Sequence, residues 1–167
     1  MRRALALLLL LAACGREAAT PPAAAPSFRD RGQPIASTLR GTASDLAGDW
    51  VIAQSYPGLP FASPGTRVSI AVGSDASAGW SFAGPGGTER VSTTAAGQGR
   101  FVPREEGGLE LWVLWVDDDF RTAVVGTPDG RFGWVMDRPG EASPDRAVAA
   151  REMLDFNGYD LSRLSGA

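Results

Sequence analysis

The side chains able to do chemistry are few, and each points away from catalysis. The chain of 167 residues has no histidine and a single cysteine, Cys14. That removes the commonest general base and the usual zinc and thiol ligands. One cysteine also rules out an internal disulfide. Two acidic groups remain. Glu105-Glu106 precedes Gly107-Gly108, and Asp117-Asp118-Asp119 follows an apolar run. Adjacent carboxylates rarely converge on one substrate, so the first reads as a solvated hairpin tip. The second reads as a turn with exposed acids. Gly97-Gln98-Gly99 has no helix after it and is a turn, not a phosphate loop. No metal site, cofactor site or nucleophile–base pair emerges, and the expectation is a protein that is not an enzyme.

Cys14 is informative through its surroundings. Arg2-Arg3 is a short positive start, and Ala4 to Ala13 is uncharged and leucine-rich. Such a run suits a secretory h-region and is too short to span a bilayer. It ends in Leu11-Ala12-Ala13-Cys14, which resembles the lipobox of bacterial lipoproteins. That resemblance implies a signal peptide over 1–13, cleavage before Cys14 and lipid on its thiol. It implies a membrane partner through that lipid. Gly15, where an aspartate would favour the inner membrane, points to the outer membrane, with the domain facing the periplasm.

The elements that must present any site begin later. Residues 14–42 are rich in Ala, Pro, Arg and Ser, and are expected to form a flexible tether. From 43 to 167 short apolar segments alternate with Gly, Pro, Ser and Asp. Strands are predicted over 49–56, 66–72, 80–83, 90–94, 99–102, 109–116, 121–126 and 131–136. Ser143-Pro144-Asp145 then starts a helix, with Ala147, Ala150 and Leu154 on one stripe and Gly158 at its end. Eight short strands and one helix predict an all-β antiparallel barrel or sandwich with a C-terminal helix. The net charge of -3 and the lack of any basic run disfavour nucleic acid as a partner. Every basic side chain is arginine.

Three segments and the C-terminal tail resemble the lipocalin family, and most closely its bacterial outer-membrane branch. Gly48-Asp49-Trp50 is similar to the family's G-x-W on the first strand. Asp117 to Gly126 is similar to its D-x-x-Y segment, with Phe120 in place of tyrosine and so without that hydroxyl. Gly133 to Arg138 is similar to the last strand and its terminal arginine, and Asn157 to Leu164 resembles the tail of the bacterial branch. The resemblance implies an eight-stranded up-and-down β-barrel. In it Gly48, Trp50 and Arg138 close one end, with the guanidinium over the indole. It implies a small hydrophobic ligand of the fatty acid or lysophospholipid class, carried for storage or transport, and no cofactor.

Alternation along strands then nominates the lining. Ile52, Gln54 and Tyr56 share the face of Trp50; Phe132, Trp134 and Met136 share the face of Arg138. Those side chains fit either a ligand cavity or a filled core, and only the resemblance favours the cavity. Rival readings are a barrel-type periplasmic protease inhibitor, which would usually carry a disulfide, and a filled barrel with a structural envelope role. Homodimerisation is left open.

Overall fold

The computed structural model describes residues 26–166. The expected signal peptide and Cys14 lie outside the described residues. Eight strands run β1 Gly48–Ser55, β2 Arg67–Val72, β3 Ser77–Gly84, β4 Gly87–Ala95, β5 Arg100–Pro103, β6 Leu111–Val116, β7 Thr122–Gly126 and β8 Gly133–Asp137. Each pairs antiparallel with the next, and β1 pairs with β8, so the sheet closes as an up-and-down barrel. The expected fold class is thus the observed one. β3 and β4 are longer than their weak apolar content predicts. Their pairing runs continuously from Ser77↔Thr94 to Gly84↔Gly87, and the Pro85-Gly86 turn supplies the reversal.

The helix α1 spans Pro144–Phe156 with Ser143 as N-cap. Gly158 adopts φ +81°, the left-handed conformation glycine tolerates best, and ends it. Ala150 and Leu154 are buried and pack α1 outside β6 and β7. Two apolar clusters result. One fills the barrel; the other lies between its outer wall, α1 and the chain ends.

The second cluster corrects the expected tether over 14–42. From Ser27 onward that segment belongs to the fold. Phe28 is buried against Tyr56, with ring centroids 5.2 Å apart. Its N–H donates to Gly130 O at 2.7 Å and its carbonyl accepts from Asp160 N at 2.9 Å. The buried Arg29 guanidinium donates to the carbonyls of Asn157, Pro128 and Gln33. Further along, Thr38 N donates to Val113 O at 2.8 Å. Proline and alanine content signals a spacer, but one aromatic and one arginine suffice to dock the strap.

The second acidic group also departs from expectation. Asp117 is buried rather than exposed, and its carboxylate accepts from Arg121 N at 2.6 Å, Thr122 N at 2.7 Å and Arg121 Nε at 2.9 Å. Burial is the largest single influence on this carboxyl and raises its pKa. The hydrogen bonds from Thr122 and Arg121 together outweigh it and hold the group below the ordinary value.

Candidate functional site

The barrel has a closed and an open end. At the closed end Trp50 is fully buried, and its Nε1 donates to Leu46 O at 2.8 Å. The Arg138 guanidinium lies 3.9 Å from the Trp50 ring centroid. It donates to Ala47 O at 2.9 Å, Asp45 O at 3.0 Å, and Phe120 O and Asp49 O at 3.2 Å. Gly48 sits at φ +103°, and a Cβ there would stand 3.0 Å from Arg138 Nη1, so the lid demands glycine. Burial lowers the Arg138 pKa from its ordinary value, with Asp49 opposing. Gly48, Trp50 and Arg138 therefore come together as expected, as a structural plug.

Above the plug the interior is a column of aromatic rings. Trp80 meets Phe101 edge-on at 5.1 Å, and Phe82 meets Trp134 edge-on at 5.6 Å. Phe132 stacks on Trp134 at 5.9 Å. Edge-to-face pairing adds about 0.5–1.5 kcal/mol per pair beyond area burial. Of the nominated lining residues, Ile52, Phe132, Trp134 and Met136 are in this interior. Trp80, Phe82 and Phe101 were not nominated, although Trp80 and Phe82 alternate on one strand.

Gln54 and Tyr56 are corrections. Ile52 pairs with Met136, but Gln54 pairs with Val135, across a β-bulge at Ala53. One extra residue reverses inside and outside for all that follow. Gln54 therefore faces outward, beside Val135 and the start of α1. Tyr56 belongs to the outer cluster, 5.2 Å from the Tyr159 ring. Burial first, then Tyr159 and Asp160, push its hydroxyl pKa well above the ordinary value, so it stays protonated.

At the open end the loop between β1 and β2 carries Phe61 onto Phe82, edge-on at 5.1 Å. Around it the half-buried Leu59, Val91 and Leu109 continue the interior cluster outward. Leu59, Phe61, Val91 and Leu109 border a recess of about 300 Å³.

One polar feature stands out in this interior. Three tryptophans are buried there. Trp50 Nε1 has Leu46 O, and Trp80 Nε1 donates to Thr93 Oγ1 at 3.2 Å. Trp134 Nε1 has no partner among the described residues, although Trp134 is fully buried. A buried donor left unpaired costs roughly 1–3 kcal/mol. No cluster of metal-ligating side chains and no helix long and apolar enough to cross a membrane occurs among the described residues.

A closed antiparallel barrel, plugged at one end and apolar within, is the architecture of the lipocalin-type barrels. The chain belongs to the lipocalin family: residues 81–167, over half of it, match the model of the lipocalin-like domain. The family is one of generally non-enzymatic barrels that bind small hydrophobic ligands. Temperature-induced lipocalin-1 of Arabidopsis thaliana is 29% identical over 55 residues, which span 33% of this chain and only 30% of that protein. Among solved structures, insecticyanin from the tobacco hornworm Manduca sexta superposes with a TM-score of 0.57 at 18% identity. That match covers 84% of this chain and 86% of that one. The bovine lipocalin allergen Bos d 2 gives 0.56 at 14% identity, over 74% and 93%. At these identities the structural likeness speaks to the fold.

Proposed function

We propose that this protein is a lipid-anchored lipocalin of the bacterial outer membrane, facing the periplasm, that stores or carries a fatty acid or lysophospholipid. The unpaired Trp134 Nε1–H carries the ligand reading. An apolar interior selects a hydrophobic body by burial, and this one donor selects a hydrogen-bond acceptor. A carboxylate or ester carbonyl on an acyl chain supplies both. Entry is past Phe61, which must leave Phe82 for the ligand to reach Trp134. Lipid anchoring rests on Arg2-Arg3, the apolar run and Leu11-Ala12-Ala13-Cys14.

The test is native mass spectrometry and lipid extraction on the full chain purified from a bacterial envelope. A stoichiometric acyl lipid is expected, with retention about ten-fold weaker in Trp134→Phe, which keeps an aromatic ring of smaller size and removes the donor. A ligand-free protein that also fails to displace a fluorescent fatty-acid probe overturns the reading. Labelled palmitate incorporated in the parent and lost in Cys14→Ser tests the anchor separately. The density of the aromatic column favours one competing reading, a filled barrel acting through its surface, and the ligand-free outcome selects it.

A further inference from the structure

A second recess lies at the opposite, closed end of the barrel, where the plug would leave no role for a ligand. It has a volume of about 280 Å³. One wall is the strap at residues 38–42; the other is the turn between β4 and β5. Its floor is Leu46, Phe101, Val113, Val116 and Phe120, four of them interior residues of the barrel.

The charged side chains that line this recess are positive, while two carboxylates stand at its rim: Asp118, paired with Arg40, and Asp45, which accepts from Thr42 N at 2.7 Å. The protein is acidic overall, with 19 carboxylate residues against 16 arginines. Yet, among the described residues, the charged ones lining the recess are Arg40 and Arg100. Arg100 is braced, with Nε donating to Ser37 Oγ at 3.1 Å and its guanidinium 4.4 Å from the Trp112 ring centroid. Its terminal nitrogens donate to nothing among the described residues. Among the described residues Arg40 meets Asp118 alone, at 2.9 Å, in an exposed pair that costs little to open.

The backbone around the recess is also unusual. Gly41, Gly97 and Gly99 have φ of +69°, +81° and +68°, and the non-glycine residues Gln98 and Phe120 have +53° and +54°. A Cβ on Gly41 would strike the Phe120 ring, and one on Gly99 would stand 2.8 Å from Val113 O. Strained non-glycine residues persist where the surroundings hold them, and they gather at ligand clamps.

We propose that this closed-end recess is a binding site for a small amphipathic carboxylate, separate from the barrel interior. The carboxylate would pair with Arg100 and Arg40, and a short acyl or aryl body would lie on Phe101, Val113, Val116 and Phe120. The volume of about 280 Å³, at the lower edge of the roughly 300–1,000 Å³ of drug-sized sites, suits a short acyl or aryl body.

The test uses the full chain with Cys14→Ser, so that no lipid is attached there, and sodium octanoate as probe. Calorimetry at low salt should detect octanoate and show octanol at least about ten-fold weaker. Methyl NMR signals of Leu46, Val113 and Val116 should move in step. Arg40→Gln and Arg100→Gln should each weaken binding about ten-fold, and Ala95→Phe should block it by volume alone. Arg40→Gln decides the matter if Arg100→Gln loosens the strap, because Arg40 has no other partner among the described residues. Absence of binding, equal affinity for octanol, or shifts confined to Leu59, Val91 and Leu109 at the mouth would each overturn the proposal.

Discussion

Replacing Arg138 with methionine removes the plug's polar half while keeping much of its apolar stem. Two losses follow. The first is the cation–π contact with Trp50, about 1 kcal/mol in this half-shielded place. The second is the donor to four carbonyls, two of which, on Ala47 and Phe120, receive partly buried bonds. Leaving those two short of a donor costs about 1 kcal/mol each. The sum is about 3 kcal/mol. For a fold of this size that lowers Tm by roughly 6–12 °C. Urea unfolding followed by tryptophan fluorescence measures it, with an unchanged m-value showing that the native fold persists. Arg138→Lys should regain less than half, because a compact ammonium cannot reach four carbonyls in different directions. A double-mutant cycle with Trp50→Leu should return a coupling of about 1 kcal/mol. If Arg138→Met falls within about 0.5 kcal/mol of the parent, or Arg138→Lys equals it, the closure argument is wrong.

Tyr159 gives an alkaline test. Its hydroxyl accepts from Thr127 N at 2.9 Å and lies 3.0 Å from Phe132 O, and burial pushes its pKa up from 10.0 to about 12. The folded pKa is raised, so its contribution is complete below pH 10 and is lost as pH rises toward 12. Tyr159→Phe should cost about 2 kcal/mol at neutral pH and flatten that alkaline loss, read by denaturation at stepped pH. Asp117 gives the acidic counterpart. Its folded pKa is lowered, so its contribution is present above the ordinary 3.8 and fades as pH falls below it. Asp117→Asn should lower stability at pH 7 by a few kcal/mol and narrow the gap to the parent in acid, by the same assay. Phe61→Ala should speed association of a fatty-acid probe in stopped flow, because the ring on Phe82 guards the mouth; an unchanged rate would place the entrance elsewhere.

The barrel was legible because alternation survives on strands such as β2 and β3, and turn residues separate the short apolar runs elsewhere. Val68 and Ile70 face in while Arg67 and Ser69 face out, and Gly84 to Gly87 can only turn. The plug was legible because Trp50 and Arg138 stand on the first and last strands, which closure makes neighbours. The wall near Gln54 and Tyr56 was not, because the bulge at Ala53 leaves no mark in the sequence. Alanine fits a strand or a bulge equally well. The strap was hidden for a different reason. Its docking rests on Phe28 finding Gly130 and Asp160, and on Arg29 finding Pro128 and Asn157, all far along the chain, and no local pattern encodes that. The buried state of Asp117 likewise follows from partners that only the β6–β7 turn assembles. Trp134 could be nominated by alternation, but its missing partner appears only when the other two buried indoles are seen to have theirs.

The central claim is that the interior takes an acyl ligand whose polar end meets Trp134. The indole region of a ¹H–¹⁵N spectrum tests it directly, since the chain has five tryptophans, at 50, 80, 112, 115 and 134. On titration with a fatty acid the Trp134 Nε1–H signal should move downfield as it gains an acceptor, while those of Trp50 and Trp80, already bonded, hold their positions. Saturating fatty acid that leaves the Trp134 signal in place would contradict the account.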